Sequence, residues 1–392
     1  MYLTNSEERA LSGERGEALE MAYRVLLAIG KLGNAEKLIP IEWAHVSGVS
    51  YLTIGEYGLD FLKKISGSRN TKFRVFTTVN PCGMDIENWE SLEIPKDYAE
   101  KQLDIVSCYK RLGIANSFTC VPFESYKVPH RGTSVAWAES SAAVFANSIL
   151  DLRTNRESAV SALACALTGK TVYSDLQIPS NRKPSKNIRV NAKKHGNFSG
   201  SLNFGILGFF AGKQIPGVIG FQGLKGKISM AEAKSLSAAI GTLGSSGMFV
   251  LNSMEKVETI EFTDKEYEDT ISDLSQTEDG EAVVFGCPQM TLEELKDLSA
   301  ALVGKHFRKR CIVFCSSLMY EKAMKRGYVD TLKSAGATFV RDACADFTPL
   351  ISSLKVGSVV TDSAKGAHYM RKVHGVDISL KDTHTIVKEN TI

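Results

Sequence analysis

No apolar run in the sequence approaches the roughly 20 residues of a membrane span, which argues against a helical membrane protein. Long basic runs are missing too, and a formal net charge of +3 over 392 residues leaves no electrostatic footprint for a nucleic acid. The opening MYLTNSEERALSGERGE has no apolar signal region, so export is not expected. The eight cysteines are then expected to stay reduced in a cytoplasm, as free thiols or metal ligands. No CxxC pair occurs, and no fixed-period repeat is visible. What remains is a chain 43% hydrophobic and 23% charged. It can bury a large core and is too long for one compact domain, so two or three α/β domains are expected.

Apolar residues at helical spacing in GEALEMAYRVLLAIGKLG, ending at Gly33, predict a first helix. KLIPIEWAHVSG and KFRVFTT read as strands, AEKQLDIVSCYKRLG as a helix stopped by Gly113, and IANSFTC as a strand running into Pro122. A capping box from Thr154 to Glu157 predicts a helix that stops near Gly169. From residue 196, GSLNFGILGFFAGKQIPGVIGFQGLKG is dense in glycine, which permits strands in close approach or a flexible loop. TDKEYEDTISDLSQTEDGE reads as an exposed connection. In the last third, strands in AVVFGCP, RCIVFCSS, ATFVRDACA and GSVVTDSAKGAHYM alternate with helices, one of them opened by a Thr291 to Glu294 capping box. The expectation is a multi-lobed α/β fold with parallel sheets in α/β/α layers. An N-terminal α/β lobe would span 1–195, a Gly-rich second α/β lobe 196–275, and a C-terminal α/β lobe 276–392.

Ordinary burial accounts for five of the cysteines. Cys108 and Cys165 lie inside expected helices, Cys311 and Cys315 share one face of a strand, and Cys82 sits in an NPCGMD turn. Cys120, Cys287 and Cys344 differ, since each follows an expected strand where the chain leaves its carboxyl end, in SFTCVP, VFGCPQ and RDACAD. Open α/β sheets place their ligands there. Three such thiols could converge on one metal, although no tight spacing supports it and lone buried cysteines are common. A second concentration of chemistry is WAESSAAVFANSILDLRTNR, Trp137 to Arg156. Here a carboxylate, hydroxyls, amides and two guanidiniums interrupt a segment otherwise suited to a buried helix.

The phrases IEWAHVSGVSY, FTCVPF, WAESSAAVFANSILDLRTNRES, GCPQMTLEELKDL and TDSAKGAHYM, in that order along essentially the whole chain, together resemble the catalytic domain of the aconitase X family. The resemblance implies dehydration chemistry with Cys120, Cys287 and Cys344 as the ligands of an iron–sulfur cluster, read here as [4Fe–4S] with one iron left open to polarise a substrate C–O bond. Zinc on three cysteines is the chemical alternative. The polar segment then has a polyanionic substrate to meet. Glu139, Ser140, Ser141 and Arg153 become candidate catalytic residues, with Glu139 placed to relay a proton. His45, Ser47, Asn80, Asn147, Asn155, Arg156, Arg182 and Lys365 become candidate substrate-binding residues. Several have structural alternatives: His45 as a satisfied core histidine, Asn147 as a cap or bridge, Arg156 at a helix start, Arg182 and Lys365 as ordinary charges. GCPQ and LDLRTNR depart from the more usual family forms, with histidine after the proline and glycine before the arginine segment, which leaves the roles of Gln289 and Asp151 open.

Aconitase-like sites are closed by a smaller swivelling domain that carries a catalytic serine. The chain reaches Ile392 directly after the last family-like segment, so the resemblance implies a large subunit that takes a small swivelling-domain subunit as partner. A two-chain arrangement implies dehydration of 5-phosphomevalonate to an anhydromevalonate phosphate in an isoprenoid pathway. A fused arrangement implies dehydration of cis-3-hydroxy-L-proline. A non-catalytic iron-binding or scaffold protein is the reading from another class.

Overall fold

Three parallel sheets follow one another along the chain in the computed structural model, which describes residues 1–115, 118–196 and 198–392. In the first lobe, β1 (Leu38–Pro40) precedes β2 (Trp43–Val46), β3 (Phe76–Val79), β4 (Ala136–Trp137) and β5 (Lys170–Val172). Strands β3-β2-β4 form a parallel sheet, and β1 pairs antiparallel with β5. The helix Lys96–Leu112 packs here and ends, as expected, at Gly113 in the left-handed conformation. Two expectations need correction. The helix after the polar segment starts at Ala159, capped by a box between Ser158 and Ser161. Thr154 is buried instead and uses its hydroxyl to accept from Trp137 N at 2.9 Å and to donate to Asn155 O at 2.7 Å. The strand expected over IANSFTC lies partly outside the described residues, and Phe118 makes only an isolated parallel bridge to Val79.

The second sheet has the order β8-β7-β6-β9 and is built from β6 (Lys186–Asn191), β7 (Ile219–Gln222), β8 (Phe249–Val250) and β9 (Thr259–Thr263). It opens ahead of the glycine-dense tract. The first half of that tract is neither strand nor loop but a helix, Ser201–Gln214, buried from Phe204 to Gly212. Its glycines serve helix-to-helix approach: a Cβ on Gly208 would stand 2.6 Å from Leu236 O, and one on Gly212 2.7 Å from Ile240 O, both in the helix Met230–Leu243. The acidic stretch read as an exposed connection contains the helix Asp264–Leu274, capped by Thr263 and Glu266, with Tyr267, Thr270 and Leu274 turned inward.

The third sheet is fully parallel and has five strands, β10 (Ala282–Phe285), β11 (Arg310–Cys315), β12 (Ala337–Arg341), β13 (Ser358–Thr361) and β14 (Asp377–Leu380). Their order is β12-β11-β10-β13-β14. The chain builds outward from β10 in one direction, then returns and builds outward in the other. The order therefore reverses between β10 and β13, and a crevice opens beyond their carboxyl ends, where such sheets bind ligands. Cys287 follows β10 and Lys365 follows β13. No helix among the described residues is long and apolar enough to cross a membrane.

Candidate active site

At that crevice a cavity of about 350 Å³ lies between the first and third lobes. Cys120, Cys287 and Cys344 all line it, together with Ser47, Asn80, Glu139, Asp346 and Lys365. Three short connections fix the thiols. The Cys120 segment is tied by Gln289, whose backbone N–H donates to Cys120 Sγ at 3.2 Å and whose Nε2 donates to Phe118 O at 3.4 Å and Ala343 O at 3.1 Å. Cys287 Sγ donates to Asp346 Oδ2 at 2.9 Å. Cys344 is placed by Cys82: Cys82 N donates to Asp342 O at 2.7 Å and Cys344 N donates to Cys82 O at 2.9 Å, a parallel bridge from the first lobe onto the chain leaving β12. Cys82 is thus a positioning element rather than mere filler. Gln289 has a defined structural role.

Burial raises all three thiols, Cys120 to about 12 and the other two well above the ordinary thiol value, with Glu139 adding to the effect at Cys120 and Asp346 at Cys287 and Cys344. Burial likewise lifts Asp346 to about 6. Among the described residues, Asp346 Oδ1 and Gln289 Oε1 have no hydrogen-bond partner although both are buried. Among the described residues no three His, Cys, Asp or Glu side chains form a group that could hold a single metal ion. Three soft thiols lining one cavity are a donor set whose chemistry suits an iron–sulfur cluster, and its binding would strip the thiols of their protons.

A buried ion pair also lines the cavity. Glu139 caps the helix Ser140–Ser148, and its Oε1 accepts from Lys365 Nζ at 2.5 Å and from Ser141 Oγ at 2.9 Å. Its Oε2 accepts from Asn80 Nδ2 at 2.7 Å. Burial alone would raise this carboxyl, yet the Lys365 ammonium and the bonds from Asn80 and Ser141 hold it at about 2. Burial opposes the charge on Lys365, but Glu139 and the neighbouring acidic groups keep its affinity for a proton well above the ordinary lysine value. His45 lies behind Asn80, fully buried, and burial brings it down to about 4 despite Glu139. The imidazole is neutral at ordinary pH.

The structure therefore gathers Cys120, Cys287, Cys344, Ser47, Asn80, Glu139 and Lys365 on one cavity, with Ser141 and His45 directly behind it. Other expected site residues are placed elsewhere. Asn147 is a bridge: it donates to Thr154 O and Gly247 O and accepts from Thr154 N and Arg182. Arg182 spends its guanidinium on Asn147, Leu176 O and Leu152 O. Arg156 donates to Gly241 O and Gly244 O at the end of the helix Met230–Leu243. Asn155 bonds Val172 O and Gln177 N. Arg153 is held through its backbone to Thr133 and Val135, with its guanidinium near Gly132. Ser140 packs its backbone against Gly241. None of these six lines the cavity. Asp151, just before the arginine segment, has φ +54. The position needs the left-handed conformation that glycine adopts freely and aspartate tolerates.

Sequence reasoning passed over Asp346 and Lys234. Asp346 stands two residues beyond Cys344, and that proximity was the available signal. Lys234 is buried, reaches from the second lobe to Pro288 O and Gln289 O at 3.3 and 3.0 Å, and pairs with Glu294 at 2.5 Å. Nothing in MAEAKSLSAAIGTLG sets this lysine apart from a surface one.

Comparison with known proteins covers nearly all of the chain. Family models described as aconitase X first, second and third domain match residues 1–179, 184–273 and 280–392. The chain is 34% identical to the phosphomevalonate dehydratase large subunit of Methanocaldococcus jannaschii, over 99% of this chain and 100% of that protein, and 35% identical to that of Methanosarcina mazei, over 94% and 92%. It is 29% identical to the cis-3-hydroxy-L-proline dehydratase of Hypocrea jecorina, over 94% of this chain but 65% of that protein. The crystal structure of Thermococcus kodakaraensis aconitase X in its holo-form superposes with a TM-score of 0.91 at 32% identity, each chain covered in full.

Proposed function

The chain belongs to the aconitase X family, and from this premise we propose that it is the large subunit of a phosphomevalonate dehydratase, a hydro-lyase that removes water from 5-phosphomevalonate in an isoprenoid (mevalonate) pathway. One observation carries the reading: three thiols from distant segments and a buried ammonium face a single cavity at the sheet's switch point. The likeness to archaeal large subunits runs end to end, whereas the hydroxyproline dehydratases extend well beyond the matched region.

Cys120, Cys287 and Cys344 would hold an iron–sulfur cluster, which when bound supplies a Lewis acid that weakens the bond to the departing hydroxyl. In the reaction an α C–H bond and a β C–O bond break, a C=C bond forms, and proton and hydroxide leave as water. Lys365, anchored by Glu139, presents a fixed cation to an anionic group of the substrate without reorganising. Glu139 cannot readily relay a proton, because both its oxygens are already accepting. The base that takes the α proton is then expected from the partner, a small subunit with a swivelling domain and a catalytic serine. All eight cysteines are unpaired, which suits a cytoplasmic setting.

The test is anaerobic co-purification with the small subunit. Cys287→Ser should abolish both iron content and dehydration of 5-phosphomevalonate, while Cys108→Ser and Cys165→Ser, inside helices away from the cavity, should leave both nearly intact. A colourless, iron-free wild-type protein would point to a scaffold. Activity on cis-3-hydroxy-L-proline but not on 5-phosphomevalonate would keep the chemistry and replace the substrate.

A further inference from the structure

Behind Glu139 runs a chain of buried side chains whose hydrogen bonds can point in only one direction. Trp43 and His45 are two residues apart on β2, and His45 stands opposite Thr78 of β3 in the parallel register. Trp43 Nε1 lies 2.8 Å from Thr78 Oγ1, Thr78 Oγ1 lies 2.7 Å from His45 Nδ1, His45 Nε2 lies 2.8 Å from Asn80 Oδ1, and Asn80 Nδ2 lies 2.7 Å from Glu139 Oε2. Both ends of the chain are chemically fixed. An indole N–H can only donate, and an ionised carboxylate can only accept. Asn80 must therefore turn its NH₂ to Glu139, since the flipped amide would set two oxygens against each other at 2.7 Å. Its Oδ1 then faces His45, so the proton of the neutral ring sits on Nε2. Nδ1 is left as an acceptor for the Thr78 hydroxyl, whose oxygen in turn accepts from Trp43. Every donor meets one acceptor, and no member can reverse alone.

We infer that Trp43, Thr78, His45 and Asn80 form a positioning chain that fixes the orientation of Glu139 and, through it, aims the Lys365 ammonium at the carboxylate of the substrate. His45 is thereby a positioning residue and not a substrate ligand. The inference rests on the reading that the cavity binds an anionic substrate. The geometry supports it independently, because the chain ends on one carboxylate oxygen while Lys365 takes the other. Among the described residues Glu139 is the only hydrogen-bond partner of Lys365, so two of its three N–H groups remain for the cavity.

Two measurements on the assembled two-subunit protein test this. ¹⁵N-histidine labelling reads the tautomer directly: His45 should show a pyrrole-type Nε2 and a pyridine-type Nδ1, unchanged from pH 8 down to about 5.5, in keeping with a ring that titrates near 4. A proton on Nδ1, or titration near neutrality, would overturn the chain. Kinetics then ask whether it acts on the substrate. Thr78→Val, which keeps shape but removes the hydroxyl, should raise KM for 5-phosphomevalonate on the order of tenfold, with kcat changed less, and Thr78→Ser should restore most of that loss. Equal effects of Val and Ser, or a loss confined to kcat, would reject the positioning role. If the wild-type protein shows the expected tautomer yet turns over no 5-phosphomevalonate, the substrate assignment fails while the chain stands.

Discussion

Glu139 shows how one side chain can carry a helix cap, an ion pair and a site wall together. It sits at the N-cap of Ser140–Ser148, where the helix dipole favours negative charge, and it pairs directly with the Lys365 ammonium at the cavity wall. A carboxylate held at about 2 instead of its ordinary 4.5 contributes stability that is complete above pH 4.5 and is lost as the pH falls towards 2, when the folded protein must also take up the proton. Glu139→Gln removes this contribution and leaves Lys365 buried without a counter-charge, a change that typically costs about 3–5 kcal/mol. Urea unfolding should therefore show wild type well above the variant at pH 7, with the gap closing between pH 4.5 and pH 2. A gap that stayed constant down to pH 2 would mean that the pair does not hold the carboxyl down. At this scale the family resemblance pointed to the three thiols, and the structure brings them to one cavity although the segment before Cys120 forms only an isolated bridge. The arginines were not legible in the sequence. A guanidinium is as good a partner for helix-end carbonyls as for a substrate carboxylate, and Arg156 and Arg182 went to the carbonyls.

The helix Ser201–Gln214 illustrates why elements can be harder to read than residues. Glycine is a poor helix former, so a tract holding Gly205, Gly208 and Gly212 argues locally against helix. Tertiary packing overrides that preference, because without side chains the helix comes close enough to Met230–Leu243 for backbone to meet backbone. Gly208→Ala should improve local helix propensity yet destabilise the protein by about 1–3 kcal/mol, since its Cβ has no room beside Leu236 O. The midpoint of chemical denaturation measures this, and a rise in midpoint would show that the helices separate without cost. The alternating strands and helices of the last third were read correctly because each carries its own punctuation, as in the Thr291 to Glu294 capping box. The same Glu294 also pairs with Lys234 from the second lobe, a long-range link with no local signature.

For the whole molecule, the cavity belongs to no single lobe. The first supplies Cys120, Asn80 and Glu139, the third supplies Cys287, Cys344 and Lys365, and the second braces the Cys287 loop through Lys234. Both oxygens of Glu139 are engaged, and the base for the α proton is expected from the small subunit. The isolated large subunit is expected to hold iron but to show almost no dehydration. Adding the small subunit should restore turnover and bury well over about 1,000 Å² in total, as stable interfaces do. Full activity without the partner, in a steady-state assay, would return the base to this chain. The Cys82 bridge onto the end of β12 has a further consequence, in time rather than in space. The three thiols come from segments far apart in the chain, and the one at Cys344 is set in place by a residue made hundreds of codons earlier. Lys365 is synthesised after all of them. A growing polypeptide therefore has no half-built version of this pocket to fill, and whatever the thiols hold must be delivered after Cys344 and Lys365 have been made.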